Sequence, residues 1–343
     1  MHKIALKRVE TAINEIKKGR MVIMMDDENR ENEGDLVYAA TFSTPELVNF
    51  MAKEARGLIC TPVTKAIAKK LHLLPMVDNN VSNHETAFTI SIDSASATTG
   101  ISAIERDDCI SKLANPLTNS DDFVRPGHIF PLIAKDGGVL VRTGHTEGSV
   151  DICKLAGLAP VGVICEIIKD DGTMARYNDL KIFSKKHNIP IVYISDLVEY
   201  RLANEKLVAP IKTEEIKFMG MQVEKIDYED HLGRVHKVIK FGKIKPTFNV
   251  KFHNIGLDID LILSSNRFKN IQNSLEYLKI NGGVLIFLDT KVISKEQAKE
   301  FGIGAQILKD LGIEHINLLT SNIDTEFIGL SGFGLNVVEK IVL

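Results

Sequence analysis

The sequence predicts a mixed αβ protein, α+β or α/β, built as two domains. Three observations predict it. The chain has 343 residues, more than one small domain needs. The region before residue 200 alternates apolar strand-like runs with amphipathic helix-like runs and Gly turns. A second alternation follows a charged helix end and Pro210. We place the domains at 1–202 and 214–343, with a linker over 203–213.

The elements follow in order. Residues 3–18 carry Ile4, Val9, Ile13 and Ile16 near helical spacing and read as an amphipathic helix. This stretch lacks the apolar core and small-residue cleavage site of a signal peptide, so a cytoplasmic protein is expected. "MVIMM", Met21 to Met25, reads as a buried strand. Further strands are expected at "GLICTPV", "AFTISID", "HIFPLIA", "VLVRT", "VGVICEI" and "IPIVYIS". Helices are expected at "TPELVNFMAKEA", "AIAKKLHL" and "GSVDICKLAGL". The clearest elements of the second domain are "VHKVIKFG", "INGGVLIFLD", "AQILKDLGI" and "HINLLTSN".

Composition narrows the function. Hydrophobic residues make up 44% of the chain, enough for a core in each part. A net charge of -3 argues against a nucleic-acid partner, which would call for a basic stripe. The longest apolar runs, such as "PVGVICEII", are far shorter than a membrane span. The four cysteines, Cys60, Cys109, Cys153 and Cys165, form no CxxC pair and read as buried thiols.

Chemistry gathers in four places. "DDENRENEGD", residues 26–35, puts six carboxylates and Arg30 at the mouth of a strand. Such a cluster must be solvated, paired or metal-bound. A calcium loop fails on spacing, because Gly34 as its glycine puts Ala40 at the bidentate position. Magnesium asks for only one or two carboxylates, waters and a substrate oxygen. In "RTGHTEGSVDI", Arg142 and a helix start capped by Thr143 or Thr146 outline a phosphate cradle, with His145 as metal ligand or proton carrier. An ordinary capped turn is the competing reading. "RPGHIFPL" holds His128 between a turn and a strand. "VGVICEII" holds Glu166, either a buried proton carrier or a side chain turned outward at a strand end. "TTGISAIERDD", Thr98 to Asp108, reads as a polar loop able to close over a ligand.

"DDENRENEGD", "RPGHIFPL", "RTGHTE" and "GVICEI…DDGTMAR", in this order over residues 1–200, closely resemble 3,4-dihydroxy-2-butanone 4-phosphate synthase of riboflavin biosynthesis. The resemblance implies an α+β fold, a homodimer, and conversion of ribulose 5-phosphate to formate and a four-carbon phosphate with magnesium, which manganese can replace. It implies Glu31 and His145 as metal ligands and Arg30 and Asp35 as sugar-phosphate contacts. It also implies that Arg142, Thr143, Gly144 and Thr146 hold substrate, and that His128 and Glu166 are essential to catalysis. One departure is Glu105, where relatives often carry Asp.

The second half resembles GTP cyclohydrolase II, well only in "FGIGAQILKDLGIEHINLLTSN" and "GLSGFGLNVVEKIVL". The zinc-ligand segments of that family align with His253–Gly256 and with Asn266–Asn270, and no cysteine follows Cys165. Its catalytic Asp and Arg fall on Gln297 and Lys299, and its Lys on Thr325, while Thr320 is kept. The expectation is a synthase whose second domain binds no zinc and does not hydrolyse GTP. The alternatives are a bifunctional enzyme with an unusual metal site, and a non-enzymatic sugar-phosphate or flavin regulator.

Overall fold

The computed structural model describes residues 2–28, 30–82, 86–289, 297–321 and 335–343. They form two units, Met1–Tyr200 and Arg201–Leu343.

The first unit holds helices α1 (His2–Lys17), α2 (Pro45–Phe50), α3 (Lys65–Lys70), α4 (Ala103–Ala114), α5 (His145–Leu155), α6 (Tyr177–His187) and α7 (Ile194–Asn204), the last running past the unit boundary. Its strands are β1 (Val22–Met25), β2 (Gly34–Ala39), β3 (Cys60–Thr64), β4 (Ile92–Ser94), β5 (Phe123–Ala134), β6 (Gly162–Glu166) and β7 (Ile191–Tyr193). They form one mixed sheet in the order β4-β5-β3-β6-β2-β1-β7. β1 pairs antiparallel with β2 and parallel with β7, and β2 pairs antiparallel with β6.

Both faces of this sheet are covered, which explains why β1 is apolar at every position. Ile23 and Met25 join Leu36, Tyr38 and Val163 in a core with Val48 of α2, Ile110 of α4 and Leu180 of α6. Val22 and Met24 join Val37 and Ile164 in a second core with Val9 and Ile16 of α1, Ile152 of α5 and Leu197 of α7. Each such side chain fully removed from water contributes about 1.5–3 kcal/mol.

Several expectations need correction. "VLVRT" is not a strand. Gly137 and Gly138 adopt φ of 90° and 62°, and Gly138–Leu140 form a 3-10 turn. The buried Asp151 carboxylate accepts the Val139 N–H at 2.8 Å and pins that turn to α5. The stretch 98–108 is a loop only as far as Ser102, whose hydroxyl caps α4 by accepting from the Glu105 amide at 3.2 Å. The strand β2, "GDLVYA", lies hidden behind the acidic stretch.

The second unit contains strands β8 (Val208–Phe218), β9 (Met221–Asp230), β10 (Val235–Phe241), β11 (Thr247–Asn254), β12 (Gly283–Leu288), β13 (His315–Thr320) and β14 (Asn336–Val342). Its helices are α8 (Asp258–Leu263), α9 (Ser265–Asn281) and α10 (Gln297–Asp310). The sheet order is β14-β13-β11-β12-β10-β9-β8. The four strands β14, β13, β11 and β12 run parallel, and β10, β9 and β8 continue antiparallel. The expected linker over 203–213 is therefore not a free connection: from Val208 onward it is strand β8. Pro210 is tolerated there because β8 is the sheet's edge, and the pairing with β9 is irregular between Pro210 and Lys212. Among the described residues no helix is long and apolar enough to cross a membrane.

Candidate active site

The site in the first unit grows out of the β1–β2 hairpin. Met25 pairs with Gly34, and residues 26–33 form the connecting loop. One carboxylate organises it. Asp26, fully buried at its side chain, accepts the amides of Glu31 at 3.0 Å and Glu33 at 2.8 Å and pairs with Arg30 at 2.8 Å. Arg30 also bridges to Glu31 at 3.1 Å. From outside the hairpin, Arg176 donates to the carbonyl oxygens of Glu31 and Asn32, both at 2.6 Å. The acidic loop is thus a folded object, and Glu31 is presented by it.

His145 opens α5. The close approach of that helix to β1 depends on Gly148, where a Cβ would lie 2.4 Å from the Met24 sulfur. His145 Nε2 consequently sits 3.2 Å from the Met24 carbonyl oxygen and 3.9 Å from Asp35 Oδ1, and its Nδ1 is 3.8 Å from Glu31 Oε2. Asp26, Glu31 and His145 offer ligand atoms all within 4.8 Å of one another. Among the described residues this is the cluster of His, Cys, Asp and Glu compact enough to hold a metal ion. Asp26 has both oxygens engaged by the loop, so the candidate ligands are Glu31 and, on loss of its Nδ1 proton, His145.

Asp35 lies beside this pair on β2, opposite Glu166 on β6. It is buried, and its Oδ1 has no hydrogen-bond partner among the described residues. Burial pushes its pKa up to about 7, against the pull of His145 and with help from Glu166, Glu31 and Glu33. Burial pulls His145 down, but Asp35, Glu31 and Asp26 outweigh it and carry its pKa up to about 9. An orphaned buried carboxylate oxygen beside an imidazole and a second carboxylate suits a small divalent cation and the hydroxyls of a polar substrate.

Glu166 stands at the end of β6 and is only partly buried. Its Oε2 accepts the Leu58 amide at 2.8 Å. The residues expected to form a phosphate cradle are arranged differently from the sequence reading. α5 is capped by the backbone of Gly144, and no Thr side chain caps it. Arg142 Nη1 pairs with Glu147 at 2.6 Å, and Nη2 donates to Thr86 Oγ1 at 3.1 Å. A Cβ on Gly144 would lie 2.4 Å from Arg142 Nη1, so a larger residue there would displace the guanidinium. Thr146 is buried in the first turn, with Glu147 beside it. Glu147 escaped the sequence reading because a charged residue in a helix's first turn is ordinarily solvated.

His128 is not brought to Glu166. It lies on β5, with β3 between β5 and β6, so the two strands are about 10 Å apart. Its Nδ1 is 2.7 Å from Asp93 Oδ2, and its amide donates to Asp93 Oδ1 at 2.8 Å. Gly100 closes over this pair, with space for no Cβ. The loop carrying Gly100 is gathered by Glu105, which accepts from the amides of Thr98, Thr99 and Gly100 and the hydroxyls of Thr98, Thr99 and Ser102. Those bonds hold the Glu105 carboxyl far below the usual range. Asp93 had no local signal in the sequence, and Arg176, though part of "DDGTMAR", gave no sign of its contact with the 26–35 loop, because each acts on a partner distant along the chain.

In the second unit, His236 is buried between Asp230, 3.2 Å from its Nε2, and the Asp289 amide, which donates to its Nδ1 at 3.1 Å. His253 stacks edge-on to Phe287. The free cysteines are all buried in the first unit. Thr325 lies outside the described residues, as do the side chains of Gln297 and Lys299.

Comparisons with known proteins agree with this layout. The family model for 3,4-dihydroxy-2-butanone 4-phosphate synthase matches residues 10–200, and that for GTP cyclohydrolase II matches residues 289–342. A 3,4-dihydroxy-2-butanone 4-phosphate synthase of Wolinella succinogenes is 57% identical over 98% of this chain and 97% of its own. A two-domain 3,4-dihydroxy-2-butanone 4-phosphate synthase structure from A. baumannii superposes with a TM-score of 0.82 at 38% identity, covering 98% of this chain and 99% of that one. A synthase structure in complex with two magnesium ions matches at TM-score 0.54 and 39% identity, covering 55% of this chain and 94% of that one. The motifs, the fold of both units and these similarities lead to one conclusion: the chain belongs to the 3,4-dihydroxy-2-butanone 4-phosphate synthase family, with a C-terminal region similar to GTP cyclohydrolase II.

Proposed function

We propose that the first unit is a magnesium-dependent lyase that converts ribulose 5-phosphate to 3,4-dihydroxy-2-butanone 4-phosphate and formate in riboflavin biosynthesis. The observation that carries the residue assignment is the meeting of Glu31, Asp35, His145 and Glu166 at the ends of β2 and β6 and the start of α5. Glu31 and His145 are the ligands we assign to magnesium; bound there, the ion supplies charge stabilisation for oxygens that become negative during reaction. Asp26 keeps Arg30 and the Glu31 backbone in place. Asp35, a buried side chain with an oxygen that no described residue hydrogen-bonds, makes hydrogen bonds to the sugar hydroxyls. Arg142, with Thr143, Gly144 and the amides that open α5, binds the phosphate, and Thr146 completes that end. Arg142 must then be shared with Glu147. Glu166 is oriented by the Leu58 amide to move a proton, and His128, oriented by Asp93, is the second proton carrier.

The separation of His128 from Glu166 within one chain fits the homodimer we propose. Light scattering at the mass of a single chain would remove that part of the reading.

We assign the second domain a folded but zinc-free role, oligomeric or regulatory. A zinc that generates hydroxide needs three protein ligands and an open position. The segments that would supply them offer His253 and Gly256 in one case, and Arg267 and Lys269 among the residues of the other. Incubated with GTP and zinc, the purified protein is expected to release no formate or pyrophosphate. Release at an ordinary enzymatic rate would refute this.

A further inference from the structure

α5 carries two buried carboxylates four residues apart, Glu147 and Asp151, 1% and 2% exposed. That spacing puts both on one side of the helix. Both accept from the segment that leads from β5 to α5. Glu147 Oε1 takes the Lys135 amide at 3.0 Å, and Asp151 Oδ2 takes the Val139 amide at 2.8 Å. The Gly138 carbonyl in turn accepts the Arg142 amide at 3.1 Å. The backbone that bears Arg142 is therefore gripped from α5 at two points.

Glu147 also holds the Arg142 side chain. Its Oε2 lies 2.6 Å from Arg142 Nη1. The other terminal nitrogen, Nη2, donates to Thr86 Oγ1 at 3.1 Å. Anchored at both terminal nitrogens, the planar guanidinium has its direction fixed. It carries five N–H donors, so these two anchors do not by themselves exhaust it. A carboxylate beside a phosphate repels it, so Glu147 does not serve as a phosphate contact. Its effect on a phosphate runs through Arg142. His145, the metal ligand we assign, stands two residues earlier on the same helix and points to a different side. One rigid element thus sets both the metal ligand and the direction of the arginine.

We propose that Glu147 is a positioning residue for the synthase reaction. It fixes the Arg142 guanidinium where the sugar phosphate is received, at a set distance from His145. The inference rests on the phosphate reading of Arg142, and the experiment separates the two.

Glu147→Gln is the informative change. It keeps the shape, but an amide has one acceptor oxygen where both Glu147 oxygens now accept. Glutamine therefore cannot hold both the Lys135 amide and Arg142. Steady-state kinetics with ribulose 5-phosphate, competition by inorganic phosphate and a magnesium titration are run on four full-length proteins. These are the wild type, Glu147→Gln, Arg142→Ala and the double variant. Glu147→Gln is expected to raise KM and the inhibiting concentration of phosphate each by about tenfold, with a smaller change in kcat. The magnesium half-saturation is expected to stay the same. Added to Arg142→Ala, Glu147→Gln is expected to change KM no further, the mark of a residue that acts through another. An unchanged KM in Glu147→Gln beside a raised one in Arg142→Ala overturns the inference. So does a further tenfold rise in the double variant, or a magnesium half-saturation that shifts along with KM, which marks a merely structural role. An unchanged KM and phosphate inhibition in Arg142→Ala sinks the phosphate reading itself, and the inference with it. If Glu147→Gln yields no folded protein, Glu147→Asp, one methylene shorter, meets the same assays and the same outcomes apply.

Discussion

Glu31→Gln and His145→Asn are each expected to lower magnesium-dependent formate release from ribulose 5-phosphate by on the order of a thousandfold or more. The size follows from removing one of the two protein ligands we assign to an ion that would stabilise several kcal/mol of developing charge. The fold should survive both changes. The hairpin loop is held by Asp26 and Arg176, not by the Glu31 carboxylate. A glutamine at 31 can still accept the Arg30 hydrogen bond seen at 3.1 Å. At position 145 the helix begins from a backbone cap on Gly144, so Asn does not remove it. Formate assays across a magnesium titration, with circular dichroism as the fold control, decide the matter. Wild-type turnover in both variants would sink the metal assignment.

Gly57→Ala is expected to reduce turnover by about a hundredfold, approaching the roughly hundredfold to ten-thousandfold loss expected for Glu166→Gln. The reason is steric. A Cβ on Gly57 would lie 2.5 Å from both the Glu166 carbonyl oxygen and Oε2, and 2.7 Å from its amide nitrogen. Two of those atoms are backbone of β6, a strand held between β3 and β2, and cannot give way cheaply. The carboxylate must therefore swing off the Leu58 amide that now orients it at 2.8 Å. A displacement of about 1 Å in a proton-transferring group costs on the order of a hundredfold. The loss should fall on kcat more than on KM, because Arg142 and the start of α5, which we propose hold the phosphate, are untouched. A fully active Glu166→Gln enzyme would show that Glu166 carries no proton. An active Gly57→Ala enzyme beside an inactive Glu166→Gln one would show that the precise seat of the carboxylate does not matter.

Parts of the site were legible in the sequence because they announce themselves locally. Six carboxylates in ten positions cannot be an ordinary turn, and "MVIMM" cannot be a surface strand. Arg142 to Thr146 stood out as a basic residue followed by a helix start. Misreadings arose where local pattern and local conformation disagree. "VLVRT" has the composition of a strand, yet the positive φ at Gly137 and Gly138 and the Asp151 carboxylate fold it into a turn. "TTGISAIERDD" reads as loop because the apolar signal of α4, Cys109, Ile110 and Leu113, comes only at its end. "GDLVYA" was overlooked because its first residues belong to the acidic stretch. Pro210 suggested a break, and an edge strand absorbed it.

By itself the sequence determined the mixed αβ architecture of both halves, the residue types of the first site and the absence of cysteine from the second half. These depend on periodicity and composition, which are local. Only the tertiary structure decided which acids share a place. It set Asp26 as the keystone of its own loop, left an Asp35 oxygen without a hydrogen-bond partner among the described residues, tied Arg142 to Glu147, and put Asp93 under His128. Such pairings join residues up to 145 positions apart, as Arg176 and Glu31 are. Their energies depend on distance and burial, and neither is defined until the chain has folded.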